Sequence, residues 1–444
     1  MALVLVATTA VAALPALPER IDLDQASAIR VRLPTVNAPR VVVSDVGDVN
    51  GDGRGDVGVR EVQGHGGDAQ RTFVVFGGGG PRTIRPTQLR STGLEVRRGP
   101  EVAAAGDLDR DGLGDLIVKD GLAGTLGVAY GRRSPGTLDP QLSGRVGYAI
   151  TGLRNYYPSA SPGGLRDTRR HLLVGNCETL SRATGPGRAF LLPPRARGTA
   201  RVHAPAAAIL RITGTRFVCP IGLADVNGDG RDDAVVRDGT RAIFVVFDAR
   251  RRGSVNLGSL GRQGFRITTG SEFLGAALAG EVNGDGRSDI VIGGGTRTTA
   301  YVVFGKTSTI TLALARLGAA GLTIRGERGT RFPSAAAGAG DVNGDGLADV
   351  LLGAPEALPL DDGYFGGSVY LVYGRASGGA VDLAAAGPAF ARIDGTLPMR
   401  RFGGGIGGSV ASIADLDGDH RRELAIADGF DGIVHVLPST RLPR

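Results

Sequence analysis

Cysteine is scarce: Cys177 and Cys219 are the two in 444 residues. That excludes a disulfide-dense scaffold and a zinc site of four cysteines. Trp is absent and aromatics make up 5%, which weakens any function needing many stacking platforms for bases or sugars. Lysine is limited to Lys119 and Lys306, and the other basic residues are arginines. That bias reads first as compositional, ahead of an Arg-selected face. Long apolar runs are missing too. The opening stretch, MALVLVATTAVAALPALPER, is broken by Pro15 and Pro18 and is shorter than the ~20 residues of a membrane span. With Ala10-Val11-Ala12 as a small-x-small cleavage pattern, residues 1–20 read as an export signal without a basic n-region. Residues 21–444 read as one domain, secreted or held at a cell surface. The five histidines form no HExxH and no serine lies in GxSxG, so no catalytic constellation stands out.

Glycine, by contrast, is abundant at 74 residues, without a G-X-Y period, so a collagen helix is excluded. Apolar residues at 42% suffice for a core. One motif recurs along the chain: DVNGDGRGD from Asp48, DLDRDGLGD from Asp107, DVNGDGRDD from Asp225, EVNGDGRSD from Glu281, DVNGDGLAD from Asp341 and DLDGDHRRE from Asp415. The spacings are 59, 118, 56, 60 and 74. The second is twice the first, so one unit has lost its motif. It falls near Ser161, in SPGGLRDTRRHLLVG, and keeps Asp167 alone of the acids. The total is seven units.

Each unit has four apolar runs. Run A precedes the acidic loop and is small, as in EVAAAG (101–106) and AAAGAG (335–340). Run B follows the loop, as in DVGV and DLIV. Run C is FVVFG (73–77) or YVVFG (301–305), and run D is LEVR (94–97) or FRIT (265–268). Runs of this length, β-branched or aromatic outside run A and bounded by Gly and Pro, are strands. Four strands per unit predict a seven-bladed β-propeller with four-stranded blades, all-β. Small residues in run A suit the crowded inner strand. The last unit stops after VHVLP (434–438), and a spare run D, IRVRL (29–33), precedes the first run A. The N-terminal strand is therefore expected to complete the last blade and close the ring.

The loops have the chemistry of metal sites. Positions 1, 3, 5 and 9 offer side-chain oxygens, and the position-7 carbonyl adds another. The candidate ligands are Asp48, Asn50, Asp52, Arg54 and Asp56; Asp107, Asp109, Asp111, Leu113 and Asp115; Asp225, Asn227, Asp229, Arg231 and Asp233. The remaining sets are Glu281, Asn283, Asp285, Arg287 and Asp289; Asp341, Asn343, Asp345, Leu347 and Asp349; Asp415, Asp417, Asp419, Arg421 and Glu423. A glycine at position 6 permits the sharp turn, except at His420. An all-oxygen set with several carboxylates favours Ca²⁺. Five sites are expected to hold it, with the His420 loop a weaker sixth and the unit near Ser161 empty. An EF-hand is excluded because positions 10 and 12 are apolar throughout, so the loop runs into a strand and not a helix.

These loops, with Phe402-Gly403 before a run A and Gly353-Ala354-Pro355 after a run B, resemble the FG-GAP repeats in the seven-bladed propeller of integrin α subunits and their bacterial relatives. The resemblance covers residue 29 onward, although most units lack a literal FG or GAP. It implies the propeller, Ca²⁺ in the A–B loops and, more remotely, adhesion. This sequence does not contain the stalk domains, inserted adhesion domain or membrane anchor of integrins.

Arg54-Gly55-Asp56 spells RGD, but Asp56 is already a metal-loop residue. Gly305-Lys306-Thr307 lacks the first glycine of a phosphate loop. Cys177 follows one run B and Cys219 opens the next run A, which makes them a candidate disulfide on one face of adjacent blades. The six loops use 20 of the 44 acids, so five or six Ca²⁺ ions would raise the formal charge from +7 to +17 or +19. The partner is then a protein, an anionic polysaccharide or a cell-surface ligand, expected on the face of B–C and D–A loops. No specific nucleic-acid motif is present. The leading expectation is a secreted, calcium-binding adhesion or binding module. The alternative is a propeller-based lyase or hydrolase acting on acidic polysaccharide, with Tyr156, Tyr157 and His171 nearest its site.

Overall fold

Strands B and C are apolar at nearly every position because both of their faces are covered, as in other doubly buried sheets. In the first blade Phe73 and Val75 pack toward the last blade, while Val74 packs toward the second. The period of two therefore survives, with a neighbouring blade on each side. The computed structural model describes residues 20–442 apart from 24–26, 28, 34–39, 63–70, 79–81, 99, 121–124, 140–145, 154–157, 163–170, 178–185, 196–198, 200, 216, 274, 294–297, 328, 358–365, 386, 396–405 and 429–431.

The strands form seven sheets, one per blade. Blade 1 has strands A to D at Arg40–Gly47, Asp56–Val62, Arg71–Val75 and Gly93–Val96. In blades 2 to 6, strand A is Glu101–Gly106, Pro158–Pro162, Val218–Ala224, Gly275–Gly280 and Ala335–Gly340. The matching strand B is Asp115–Asp120, Leu172–Asn176, Asp233–Asp238, Asp289–Gly293 and Asp349–Ala354. Strand C is Thr125–Ala129, Arg188–Leu192, Ala242–Val246, Thr299–Val303 and Ser368–Val372, and strand D is Gly147–Thr151, Leu210–Thr213, Gly264–Thr268, Gly321–Arg325 and Phe390–Asp394. Blade 7 takes Ile406–Ile413, Glu423–Asp428 and Ile433–Leu437 from the C-terminus. Its strand D is Ile29–Arg32, antiparallel to strand C with Ile29 opposite Val436. The ring thus closes through the N-terminal strand, as expected, and blade 7 gains the strand D that every other blade has.

Each sheet also has a fifth strand that the periodicity did not announce. It comes from the C–D connection of the next blade and runs parallel to strand D. Gly136–Leu138 pairs this way with blade 1, and Leu312–Ala313 with blade 4. Arg20–Asp22 does the same for blade 6, with Ile21 opposite Ile393, and so begins at the last residue of the segment read as an export signal. Seven buried clusters fill the gaps between adjacent blades. Fully burying each Val, Leu or Ile contributes about 1.5–3 kcal/mol, so the adhesion between blades is what holds the ring. Among the described residues helix is limited to short turns such as Ala204–Ala207, and no helix is long and apolar enough to cross a membrane.

Candidate metal centres

In every blade except the third, position 9 of the motif is the first residue of strand B. The A–B loop therefore leaves one strand and enters the next over eight residues, or nine in blade 7. A register slip at the end of strand A, between Asp45 and Gly47 in blade 1, turns the chain into the loop, and blades 2, 5 and 6 repeat it. Two left-handed residues then fold the loop back on itself. Gly51 and Gly53 have φ of 70° and 84°, at positions 4 and 6. The sequence reading had singled out position 6 alone. Arg110 takes position 4 in blade 2 at φ 66°, and His420 takes position 6 in blade 7 at φ 67°.

The first carboxylate gathers the backbone of its own loop. Asp48 accepts from Gly51 N (2.7 Å), Asp52 N (3.1 Å) and Gly53 N (2.8 Å). Asp225 repeats these contacts at 2.7, 3.1 and 2.8 Å, and Asp341 at 2.7, 3.1 and 2.9 Å. Position 5 accepts from the N–H of position 7, as Asp52 does from Arg54 (2.9 Å). Glu281, one methylene longer, accepts from Gly286 N at 2.6 Å. Such local bonds are what Asx turns supply, and they hold several acids close together.

How close differs between blades. One oxygen each from Asp415, Asp417, Asp419 and Glu423 lie within 4.8 Å of one another, and so do oxygens of Asp107, Asp109 and Asp115. Oxygens bound to one Ca²⁺ at about 2.3–2.6 Å lie at most about 5 Å apart. Asp111 is not in the second group. Where position 3 is asparagine its amide donates to position 5 in blades 1, 4 and 6, from Asn50 to Asp52 (3.0 Å), Asn227 to Asp229 (3.3 Å) and Asn343 to Asp345 (3.0 Å), whereas in blade 5 Arg287 Nη1 donates to Asp285 (3.1 Å).

Position 9 has a second task. Asp56 is fully buried and accepts from Val49 N and Gly77 N, both at 2.8 Å. The first donor is position 2 of the loop and the second lies just beyond strand C. The carboxylate thus braces the A–B loop against the C–D connection. Asp115 takes Leu108 N and Gly131 N, Asp289 takes Val282 N and Gly305 N, and Asp349 takes Val342 N and Gly374 N. Asp233 uses Val226 N and Asp248 N. Desolvation pushes these acids up: Asp56 to about 8, Asp115, Asp233 and Asp289 to about 7, and Asp349 to about 6. The position-2 apolar residue and the residue after strand C were not recognised from the sequence. Their signal is the recurrent Val or Leu after the first acid and the Gly that ends run C.

Blade 7 departs from this. Glu423 accepts from Leu416 N, but its Oε1 is buried without a partner. By register with strand B, the residue matching Gly77 is Ser439, and its Oγ is likewise buried without a partner. Burial pushes Glu423 to about 8, and Asp417 is raised for the same reason.

The loops are also tied around the ring. Gly55 N donates to Asp415 O and Gly114 N to Asp48 O, both at 2.5 Å. Ser288 N donates to Asp225 O and Ala348 N to Glu281 O, both at 2.8 Å. The position-7 side chain lies over position 4 of the preceding loop. A Cβ added to Gly418 would meet Arg54 Nε at 3.2 Å, and one on Gly228 would meet Arg287 Nε at 3.1 Å. Leu113 and Leu347 cover Gly51 and Gly284 in the same way.

In blade 3, Ser161 lies within strand A, paired with Leu173. Asp167, Tyr156 and Tyr157, like Phe402-Gly403 and residues 1–19, lie outside the described residues. His171 is half-buried at the entry to strand B. Cys177 and Cys219 form a disulfide between blades 3 and 4, with Cα atoms 4.5 Å apart. It lies at the opposite end of the blades from the acidic loops.

Residues 332–372 match the model of the FG-GAP repeat family. That stretch begins at the fully buried Phe332, edge-on to Tyr370 at 5.9 Å, and spans strands A to C of blade 6. It contains Gly353-Ala354-Pro355, where a Cβ on Gly353 would meet Gly407 O of blade 7 at 1.9 Å, so the glycine admits the neighbouring blade. Over 166 residues the chain is 29% identical to integrin alpha-4 of Xenopus laevis. The match takes in 35% of this chain and 14% of the integrin. Solved structures of BBS1N in complex with ARL6DN, soaked with mercury or with lead, superpose over 97% and 95% of this chain and 100% and 97% of theirs. Their TM-scores are 0.46 and 0.45 at 11% and 10% identity, and likeness at that level says nothing of function. With the repeat and the seven blades, these matches support a propeller similar to the FG-GAP propeller of integrin α subunits.

Proposed function

We propose that this chain is an exported, calcium-loaded propeller that acts as a binding or adhesion module. Positions 1, 3, 5 and 9 of the loops, with the position-7 carbonyl, would hold Ca²⁺. The ion would supply charge to acids that the fold holds together, and so fix the loops. The observation that carries this is in blade 7: four carboxylates converge, and a buried Glu423 oxygen has no partner. Burying such an oxygen unpaired is costly, and a cation is the partner that this donor set suits. The all-oxygen set fits Ca²⁺ better than Mg²⁺, which keeps more of its water. A disulfide between blades and an integrin relative are compatible with an extracellular setting. As in other rigid scaffolds, recognition would fall to the loops.

Elemental analysis of the purified protein, paired with melting before and after chelation, tests the metal. Several calcium ions per chain and a lower melting temperature on chelation are expected. No bound calcium and an unchanged melt would sink the proposal.

A further inference from the structure

The antiparallel course of each blade brings its A–B loop out at the same end as the start of its C–D connection. The acidic loops therefore share a face with the residues that follow strand C. Those residues are basic in most blades: Arg132-Arg133 in blade 2, Arg195 in blade 3, Arg250 to Arg252 in blade 4, Lys306 in blade 5 and Arg375 in blade 6. Position 7 is arginine in the loops of blades 1, 4, 5 and 7. Arg54 and Arg287 stand directly beside the loop of the preceding blade. Besides the loop acids themselves, the described carboxylates in the A–B loops and directly after strand C are Asp232, which is buried, and Asp248, which pairs with Arg231 at 2.9 Å.

Two opposed sets of charge thus occupy one face. Without cations the loop acids offset the arginines. With cations bound, the face is positive around the ring. The two sets also differ in reach. The acids fold inward on their own loops, while Arg133 and Arg252 are exposed and have no ion-pair partner among the described residues. A surface that is cationic over several blades suits an extended anion better than a small one.

The chemistry of that polymer can be narrowed. Of the aromatic residues that follow strand C, Phe76, Tyr130 and Phe304 in blades 1, 2 and 5 are buried, and Phe247 and Tyr373 in blades 4 and 6 are half-buried. Among the described residues the exposed large apolar side chains are Val146 and Ile310, neither aromatic. Among the described residues the face thus offers arginines without exposed aromatic platforms. Single-stranded nucleic acid draws much of its affinity from base stacking on such platforms. A carboxylated polysaccharide needs none, and its carboxylates suit guanidinium groups, which hold carboxylates with two parallel hydrogen bonds.

We infer that the face bearing the acidic loops is the docking surface for a uronate-bearing polysaccharide, and that Arg133 and Arg252 are among its contacts. This rests on the calcium reading above and moves the partner from the face of B–C and D–A loops expected from sequence. The test uses the full chain and polygalacturonate. Three proteins are compared: the parent, Arg133→Glu with Arg252→Glu, and a control with Arg98→Glu and Arg241→Glu, which makes the same charge change at the other end of the blades. Co-elution measures polymer binding, and calorimetric calcium titration of each protein reads the metal separately. Calcium-loaded parent should bind, and the first pair of substitutions should weaken binding about tenfold or more. The control should change it less than about twofold, and calcium uptake should be the same in all three. Equal loss in both variants would mean net charge alone is at work and would overturn the assignment. Normal calcium uptake with no polymer binding would overturn it too, as would preferential binding of single-stranded DNA by the same arginines. Absent calcium uptake would instead sink the metal reading on which this one rests.

Discussion

The loops of blades 1 and 7 share one motif and end in different chemical states. In blade 1 both oxygens of Asp56 are taken by backbone N–H groups, and Asn50 is bonded to Asp52. That loop is satisfied from within. In blade 7 four acids converge, Glu423 holds one oxygen buried and unpaired, and position 6 is His420 with φ 67°. That loop is not. Blade 7 is also the closure blade, and its loop accepts from blade 1 through Gly55 N to Asp415 O and Gly78 N to Leu416 O. Arg422 reaches across the same seam to Asp45 at 2.8 Å. Repeats with one sequence signature therefore need not depend equally on a cation. Position 9 is a brace in blade 1, whereas in blade 7 half of it awaits a partner.

Removing calcium should have the largest effect. Each site with ligand at a hundredfold over its dissociation constant stabilises the fold by about 2.7 kcal/mol, and several sites act together. Chelation should lower the melting temperature by ten degrees or more (on the order of several kcal/mol for the whole ring). Hydrogen exchange would show where, with the earliest loss of protection expected at the seam between blades 7 and 1. Uniform loss around the ring would erase the contrast between the loops.

Substituting position 9 should separate brace from ligand. Asp56→Ala strands the buried N–H groups of Val49 and Gly77, at about 1–3 kcal/mol for each unsatisfied group. It should destabilise the metal-free protein. Glu423→Gln keeps an acceptor for Leu416 N and replaces a carboxyl that burial holds largely protonated near neutral pH with a neutral group of the same shape. It should leave the metal-free melt nearly unchanged and reduce the gain on adding calcium. Equal losses from both in metal-free protein would refute the division of roles.

Much of this was legible in the sequence and some was not. The strands, the blade count and the closure by residues 29–33 follow from apolar runs whose spacing repeats, because each blade must bury both of its faces. The fifth strands escaped because pieces as short as Leu312–Ala313 carry no period and pair only once a neighbour is in place. The gathering of acids in the loops of blades 2 and 7 could be read because alternate acids in a tight turn are brought together. The brace could not: Gly77 is 21 residues from Asp56 and looks like an ordinary turn glycine until the blade folds. The orphaned oxygen of Glu423 was equally hidden, since an Asp-to-Glu change looks conservative.

Acidity offers a smaller test of the same contrast. Burial holds Asp56 and Glu423 up at about 8 and Asp349 at about 6, against about 4 for unfolded carboxylates. A folded pKa raised in this way gives stability that is present below the unfolded value and lost as pH rises through the folded one. Metal-stripped protein should therefore melt several degrees lower at pH 8 than at pH 5.5, and calcium should reduce or reverse that slope. A metal-free melt that rises with pH would contradict the burial of these acids.

The smallest expected effect isolates the backbone of the blade 7 loop. His420 holds a left-handed conformation that glycine holds in the other five loops at this position. For an L residue that geometry costs about 1–2 kcal/mol, while glycine adds about 0.5–1 kcal/mol of unfolded-state entropy. The imidazole is almost fully exposed, with Nδ1 3.5 Å from Asp415, and an exposed pair of that length contributes little. His420→Gly should thus raise metal-free stability by at most about 1 kcal/mol. It should also tighten calcium binding at blade 7, because the loop would enter its ligating shape with less strain. Arg110→Gly, at position 4 of blade 2 with φ 66°, provides the matched comparison where position 9 is already braced by Leu108 and Gly131. Its gain in stability should be similar, and its effect on calcium smaller. If both substitutions changed calcium binding alike, strain would be the shared variable and the unpaired oxygen of Glu423 would not set blade 7 apart.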